Sequence, residues 1–175
     1  MLFRSKYYCS IRMKSALLCN GPSRVAFQDR LRYNYIIGCN IPWTQVDTTV
    51  VMDVSVLDKM NNDVAFFVSR KAWLECPTKH KDKLIGCLRG LFDPIPDYDS
   101  AGHAACRKLL ELGATEIDIY GCDSWFANNT ESYTHQFVDS RSEDMTKNVS
   151  VWRARWYELM DKNPQVVFNF IGEPK

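Results

Sequence analysis

Several patterns that would point directly to a chemistry are missing from this sequence of 175 residues. No Cys-x-x-Cys pair occurs among the seven cysteines, which excludes a zinc knuckle, and their odd number argues against a disulfide framework. No run of about 18 apolar residues occurs, so no membrane-spanning helix is predicted. Basic residues number 22 and acidic residues 21, and this balance gives no electrostatic case for binding nucleic acid.

The cysteines that fall in short apolar runs, Cys19, Cys39 and Cys122, are predicted to be small buried hydrophobic residues. Reduced cysteines indicate a cytoplasmic protein. Residues 1–12 contain basic and aromatic side chains but no apolar signal core, so no signal peptide is predicted. The chain length predicts one domain over residues 1–175 and leaves the oligomeric state open.

Residues 15–23 predict a buried strand that ends in a tight turn. The apolar run 16–19 is followed by Asn20-Gly21-Pro22-Ser23, in which Asn-Gly breaks the strand and Pro22 suits the first turn of a helix. A turn of this kind directs backbone N–H groups at the edge of the sheet, where they can bind a phosphate. The alternative is an ordinary turn from strand to helix that binds no ligand.

Strand-like and helical patterns alternate along the whole chain. Strands are predicted at residues 16–19, 34–40, 48–53, 63–69, 84–88, 116–120 and 166–170, and helices at 24–31, 56–60, 102–112 and 149–160. This alternation predicts a Rossmann-like, doubly wound α/β domain with a mostly parallel sheet flanked by helices. The polar residues 124–147 lack periodicity and are predicted to form a lid-like loop.

Polar residues follow four of the predicted strands, namely Asn20, Asn40, Asp53 and Asp123. Doubly wound sheets bind ligands beyond the carboxyl ends of their strands, at the point where the strand order reverses. Four polar residues at equivalent positions exceed what turn chemistry alone requires, so we expect them to contact a ligand. Asp123 could equally serve as an acceptor that caps N–H groups of a loop.

Two series of motifs resemble the bacterial sialyltransferases of glycosyltransferase family 42 and the related 6-hydroxymethylpterin pyrophosphokinase-like proteins. The motifs, in chain order, are Asn20-Gly21-Pro22-Ser23, Gly38-Cys39-Asn40, Val50-Val51-Met52-Asp53, Ser100-Ala101-Gly102, Leu112-Gly113-Ala114-Thr115-Glu116-Ile117 and Tyr120-Gly121-Cys122-Asp123. Their order and approximate spacing over residues 16–123 match those of the family. The closing helix and strand, 149–170, are also similar.

The resemblance implies an inverting transferase that takes a sugar from a CMP-sugar and requires no metal cofactor. The nucleotide contacts that it implies are Asn20, Gly21, Asn40, Asp53, Ser100, Ala101 and Gly102. It also implies that Trp125 and Tyr133 contact the phosphate and that His135 is the general base. A histidine suits that role because its unperturbed pKa lies near neutral pH.

The N-termini of the predicted helices at Ser23 and Ser100, together with Tyr133, could stabilise the leaving phosphate. Simpler structural roles remain open for several of these positions. His135 could be a solvated histidine of a polar loop, and Trp125 could close the core beneath the lid. His103, beside the Ser-Ala-Gly turn, is a rival for the role of base or could contact the ribose.

Three functions stay open on the sequence. The first is a sialyltransferase-like glycosyltransferase. The second is a non-catalytic protein that binds or sequesters a nucleotide, indicated by the short chain and by Ala101 at a position where the family usually has a hydroxyl residue. The third is a Mg²⁺-dependent, diphosphokinase-like transferase in which Asp53 and Asp123 would bind the ion.

Overall fold

The computed structural model describes residues 12–60, 64–76, 78–87, 100–128 and 146–172. Seven strands in these ranges form one sheet, and every pair of neighbours in it is parallel. The strands are β1 Lys14–Leu18, β2 Tyr35–Cys39, β3 Thr48–Val51, β4 Phe66–Val68, β5 Leu84–Cys87, β6 Glu116–Tyr120 and β7 Val167–Ile171. Their order across the sheet is β5-β4-β3-β2-β1-β6-β7.

Helices connect the strands in the described ranges. The α-helices are α1 Val54–Leu57, α2 Arg70–Leu74, α3 Ala101–Glu111 and α4 Val149–Lys162, and the 3-10 turns are Pro22–Ala26, Arg30–Arg32, Thr78–Lys83, Asp123–Trp125 and Thr146–Asn148. This architecture confirms the predicted Rossmann-like α/β fold with its parallel sheet. Most of the predicted lid, residues 129–145, lies outside the described residues.

Two predicted helices differ from the structure. The helix expected at 24–31 is replaced by the two 3-10 turns that follow β1. The side chain of Asp29 accepts a hydrogen bond from the backbone N–H of Leu31, and this local bond competes with a continuous helix. The helix expected at 56–60 instead spans Val54–Leu57, and Asp53 occupies its N-cap position.

The longer helices cover one face of the sheet and form the largest core cluster. Buried residues of β1, β2, β3 and β6 pack there against α3 and α4, and they include Leu17, Ile37, Val50, Ile117, Ile119, Ala105, Leu109, Trp156 and Leu159. On the opposite face, residues from β1, β2 and β6 pack with Phe27 and Val46. The strands are apolar on both faces because a parallel sheet of this type is covered on both sides.

A charged network interrupts the apolar surface of the second face. Asp118, in the middle of β6, is buried and lies 3.1 Å from the ammonium nitrogen of Lys14. Its carboxylate also accepts hydrogen bonds from the Tyr33 hydroxyl at 2.8 Å and from the side-chain amide of Asn169 at 2.7 Å. These donors satisfy a charge that would otherwise be costly to bury.

Five cysteines whose side chains the structure describes are free thiols, namely Cys19, Cys39, Cys76, Cys106 and Cys122. Cys39 and Cys122 are buried as predicted, whereas Cys19 is partly exposed. Within the same ranges, no helix is both long enough and apolar enough to cross a bilayer.

Candidate functional site

The strand order reverses between β1 and β6, because β2 to β5 lie on one side of β1 and β6 and β7 on the other. This is the position at which doubly wound sheets bind their ligands. All neighbouring strands are parallel, so the residues that follow β1, β2, β3 and β6 share one edge. The predicted site residues Asn20, Asn40, Asp53 and Asp123 therefore lie along the same edge of the sheet.

The turn after β1 is in direct contact with the turn after β6. The backbone N–H of Ser23 donates to Asp123 Oδ2 at 3.1 Å, and the Ser23 hydroxyl donates to the same oxygen at 3.0 Å. The N–H group that the sequence pattern offers to a phosphate thus already binds a carboxylate of the protein. This contact matches the capping interpretation of Asp123.

Gly21 makes the contact between these turns possible. Its backbone N–H donates to the carbonyl oxygen of Gly121 at 2.9 Å. A Cβ atom at position 21 would overlap Asp123 Oδ2 and would lie 2.5 Å from the Gly121 carbonyl oxygen. Position 21 therefore requires glycine for close packing of backbone, whether or not a nucleotide also binds there.

Asn20 joins the end of β1 to the end of β2. Its amide nitrogen donates to the carbonyl oxygen of Cys39 at 2.5 Å, and its amide oxygen accepts a hydrogen bond from Arg24 Nη1 at 3.2 Å. The side chain is buried. Both polar atoms of the amide already have protein partners, and a nucleotide contact by Asn20 remains a prediction.

Asn40 has two special features at the end of β2. Its backbone is left-handed, with a φ of 56°, a conformation that asparagine adopts more readily than other non-glycine residues. The residue is 8% exposed, and its buried amide oxygen has no hydrogen-bond partner among the described residues. Ser15 and His80 also have a buried side-chain atom without a partner among the described residues, but of the three only Asn40 directly follows a strand at this edge. A ligand contact by Asn40 remains a prediction.

Arg24 and Trp43 belong to the same edge and were not predicted from the sequence. The guanidinium carbon of Arg24 lies 5.3 Å from the centre of the Trp43 ring, within range of a cation–π interaction. Trp43 is 40% exposed, three positions after Asn40. The sequence signal for Trp43 was a large aromatic residue soon after the polar residue Asn40. Its contact with Arg24 could not be predicted, because the two residues are distant in sequence.

The N-terminus of α3 lies against the end of β1. A Cβ atom at Gly102 would approach the sulfur of Cys19 to 3.0 Å, which shows how closely the first turn of α3 packs there. Ser100, the N-cap residue, and Ala101, the first helical residue, are partly buried. The three residues of the predicted Ser-Ala-Gly motif are therefore next to the switch point.

His103 stabilises this helix terminus and is fully buried. Its Nδ1 accepts a hydrogen bond from the backbone N–H of Ser100 at 3.0 Å, so the ring proton is on Nε2. Nε2 lies 2.9 Å from the carbonyl oxygen of Trp152, to which it donates. Because both nitrogens have protein partners, the geometry favours a structural role for His103 over that of a base.

Asp53 is exposed at the end of β3 and makes no capping hydrogen bond with its side chain. β3 and β6 are separated by three strand spacings, so the strand ends near Asp53 and Asp123 lie about 14 Å apart. One Mg²⁺ with bonds of about 2.1 Å cannot bridge that distance. Among the described residues, no three acidic, histidine or cysteine side chains are grouped as metal ligands.

Trp125 is partly buried and packs against the edge of the largest core cluster. Its ring stacks on that of Phe170 with centres 4.0 Å apart and an angle of 9° between the planes, and it lies 5.1 Å from the ring of Tyr157. These contacts to β7 and α4 match the interpretation in which Trp125 closes the core. Tyr133 and His135, the predicted catalytic residues, lie outside the described residues.

No protein-family model matches this sequence, and no curated protein matches it. Among solved structures, the chain is similar to the crystal structure of the sialyltransferase CST-II in complex with a trisaccharide acceptor and CMP. The match has a TM-score of 0.48 and 12% sequence identity, and it covers 90% of this chain and 80% of the other. The likeness is one of α/β fold.

Proposed function

We propose that this chain is a sialyltransferase-like glycosyltransferase that transfers a sugar from a CMP-sugar with inversion. The observation that carries the proposal is the meeting of motif residues from both halves of the sequence at one sheet edge. Ser23 and Asp123, 100 positions apart, are in direct contact there. The motifs that resemble the sialyltransferases are thereby joined at the position where an α/β sheet binds a ligand.

Asn40 is the strongest nucleotide contact in this proposal. Its buried amide oxygen can act only as a hydrogen-bond acceptor, and it has no donor partner among the described residues. A ribose hydroxyl or the exocyclic amine of cytosine would supply the donor that it lacks. Binding would then offset the cost of an unpaired buried polar atom, about 1–3 kcal/mol.

The reaction of such an enzyme exchanges one C–O bond at the anomeric carbon for another and moves one proton from the acceptor hydroxyl to the base. A base, His135 in this proposal, takes the proton of an acceptor hydroxyl while the oxygen attacks the anomeric carbon of the sugar. The bond from that carbon to the phosphate oxygen breaks, and CMP leaves with the electron pair. Tyr133 and the N-terminus at Ser100 would donate hydrogen bonds to the departing phosphate.

A non-catalytic nucleotide binder is the second candidate. Three positions that were expected to contact a leaving phosphate or the nucleotide favour this candidate, because their described contacts or side chains do not suit that role. The backbone N–H of Ser23 donates to Asp123, the ring of Trp125 stacks on that of Phe170, and Ala101 has no hydroxyl group. A protein of this kind would bind the nucleotide through Asn40 without turning over the donor.

Incubation with labelled CMP-sialic acid and a panel of other nucleotide sugars separates these functions. We expect release of CMP, which His135→Ala reduces by about 10²–10⁴-fold while CMP affinity is kept. The control is Asp161→Asn, because Asp161 is exposed near the C-terminus of α4 and far along the chain from the site motifs.

Three other outcomes would contradict the sialyltransferase-like proposal. Tight binding of CMP by the wild-type protein with intact donor would support the binder instead. Absence of a thermal shift with any nucleotide would exclude both candidates. Inhibition by EDTA together with loss of activity in Asp53→Asn would point to the Mg²⁺-dependent alternative.

A further inference from the structure

The side chain of Arg24 extends along the carboxyl ends of three strands. Its Cβ lies against the turn after β6, where a Cβ atom on Gly121 would approach it to 3.0 Å. Its Nη1 donates to Asn20, directly after β1, at 3.2 Å. Its guanidinium lies over Trp43, which follows β2, at 5.3 Å from the ring centre. One cationic side chain therefore spans the switch point.

The contacts of Arg24 fix the position of its charged group. A hydrogen bond to Asn20 and the ring of Trp43 restrict a side chain that loses about 2 kcal/mol of rotamer entropy when it is fully ordered. A guanidinium that is already ordered loses less entropy when it binds a ligand. Its planar fork of N–H donors matches the oxygens of a phosphate or a carboxylate.

The turn after β1 gives a second reason to assign anion binding to Arg24. In most strand-turn-helix sites the backbone N–H groups of the turn bind the phosphate. Here the carboxylate of Asp123 accepts from the N–H and the hydroxyl of Ser23. A ligand anion at that position would meet a negative charge, whereas Arg24 offers a positive charge on the same edge.

Asn40 indicates independently that this edge takes a ligand. Asn20, which binds Arg24, also donates to the carbonyl oxygen of Cys39, the residue before Asn40. Asn40 is more than nine-tenths buried, and its amide oxygen has no partner among the described residues. Asn20 thus links Arg24 to the residue next to Asn40, whose amide oxygen has no partner among the described residues.

We propose that Arg24, positioned by Asn20 and Trp43, binds the negatively charged oxygens of the ligand. The chemical class is an oxyanion on a small molecule, either the phosphate of a nucleotide or the carboxylate of an acidic sugar. The inference rests on the proposed function in that it names the ligand group bound at the same site. Arg24 is then a specificity-determining residue that favours charged ligands over neutral ones.

Calorimetric titration of the full chain tests this assignment. The probes are CMP, cytidine, inorganic phosphate and free N-acetylneuraminic acid. Arg24→Gln should weaken binding of the anionic ligand about tenfold or more and should leave cytidine affinity unchanged. Arg32→Gln is the matched control, because it removes the same charge from an exposed position in the next 3-10 turn.

Arg24→Lys gives a second measurement if the glutamine variant does not fold. Lysine keeps the charge but lacks the planar fork, so we expect a severalfold loss of affinity for the anion. A loss confined to CMP and phosphate identifies the phosphate as the bound group. A loss confined to N-acetylneuraminic acid identifies the carboxylate.

The results separate failure of this inference from failure of the proposed function. Unchanged affinity of both Arg24 variants for every anion, in a protein that binds CMP, overturns the role of Arg24 alone. Binding of phosphate or N-acetylneuraminic acid that depends on Arg24, without binding of CMP, supports the inference and overturns the proposed function. No binding of any probe overturns both.

Discussion

The carboxylate of Asp123 accepts hydrogen bonds from both the backbone N–H and the hydroxyl group of Ser23. This pair joins the turn after β1 to the turn after β6, at the point where the strand order reverses. A protein carboxylate therefore occupies donors that a phosphate could otherwise use. The polar groups at this edge divide into those that hold the turns together and those that remain suited to a ligand.

Replacement of Asp123 tests its structural role. Asp123→Ala should lower the free energy of unfolding by about 1–3 kcal/mol, because the half-buried donors of Ser23 lose their acceptor. Urea denaturation measures the change, with Asp161→Ala, exposed on α4, as control. Equal stability of the two variants would contradict the capping role.

Asp123→Ala should also bind inorganic phosphate more tightly than the wild type, since a negative charge is gone and N–H donors are exposed.

Replacement of Gly21 tests the close packing of the two turns. Gly21→Ala should destabilise the protein by about 1–3 kcal/mol or more, because the added Cβ overlaps Asp123 and the backbone of Gly121. Gly86→Ala is the matched control, since its Cβ would meet only the ring of Phe67 at 3.8 Å. The control should change stability by less than about 1 kcal/mol. Thermal unfolding of both variants measures the contrast, and a Gly21→Ala protein as stable as the control would contradict the geometry.

Two substitutions of Asn40 separate backbone strain from ligand binding. Asn40→Gly removes the amide and relieves the left-handed backbone, so stability should be kept or increased. Asn40→Ala removes the same amide and places in the left-handed region a residue that adopts it less readily than asparagine or glycine, so it should be less stable than the glycine variant by about 1 kcal/mol. Both should lose CMP affinity by about tenfold or more, as titration calorimetry would measure. Full affinity in the glycine variant would exclude Asn40 as a ligand contact.

The buried network around Asp118 predicts a loss of stability in acid. Burial by itself raises the pKa of Asp118. Hydrogen bonds from Asn169, Tyr33 and Lys14 lower it by more than burial raises it, so the pKa lies below its usual value. A carboxyl group with a lowered pKa stabilises the fold above its unfolded pKa of about 3.9. That stabilisation disappears as the pH falls through the pKa of the folded state.

Asp118→Asn should therefore flatten the dependence of stability on pH below about pH 5. At neutral pH the variant should be less stable by about 1–3 kcal/mol, because Lys14 loses a charged partner. Urea denaturation between pH 2 and pH 7 measures both effects, with the exposed Asp161→Asn as control. An acid slope equal to that of the wild type would show that Asp118 contributes little to it.

The strands were the most predictable part of the fold. The alternating segment 116–120, bounded by Thr115 and Gly121, predicts a strand with the bounds that β6 has in the structure. The prediction of a helix at 24–31 was wrong, because helical propensity does not account for the hydrogen bond that the Asp29 side chain accepts from the backbone. Local patterns thus succeeded where burial enforces them and failed on a short connection with little burial.

The candidate site was predictable only as a set of positions. A polar residue directly after a buried strand indicates the carboxyl edge of a parallel sheet, and this rule found Asn20, Asn40 and Asp123. The same rule could not tell that Asn20 and Asp123 bind other protein groups while the Asn40 amide oxygen has no partner among the described residues. Partners of that kind are set by contacts between distant segments.

The sequence alone determined the alternation of strands and helices and the edge on which the polar residues lie, because both follow from local periodicity and from the parallel connections. The tertiary structure decided which polar atoms of those residues have partners among the described residues and which do not. It did so by packing two glycine-containing turns 100 positions apart so closely that Asp123 reaches Ser23. The same packing directs Arg24 along the strand ends to Trp43, and no local pattern specifies a contact of that range.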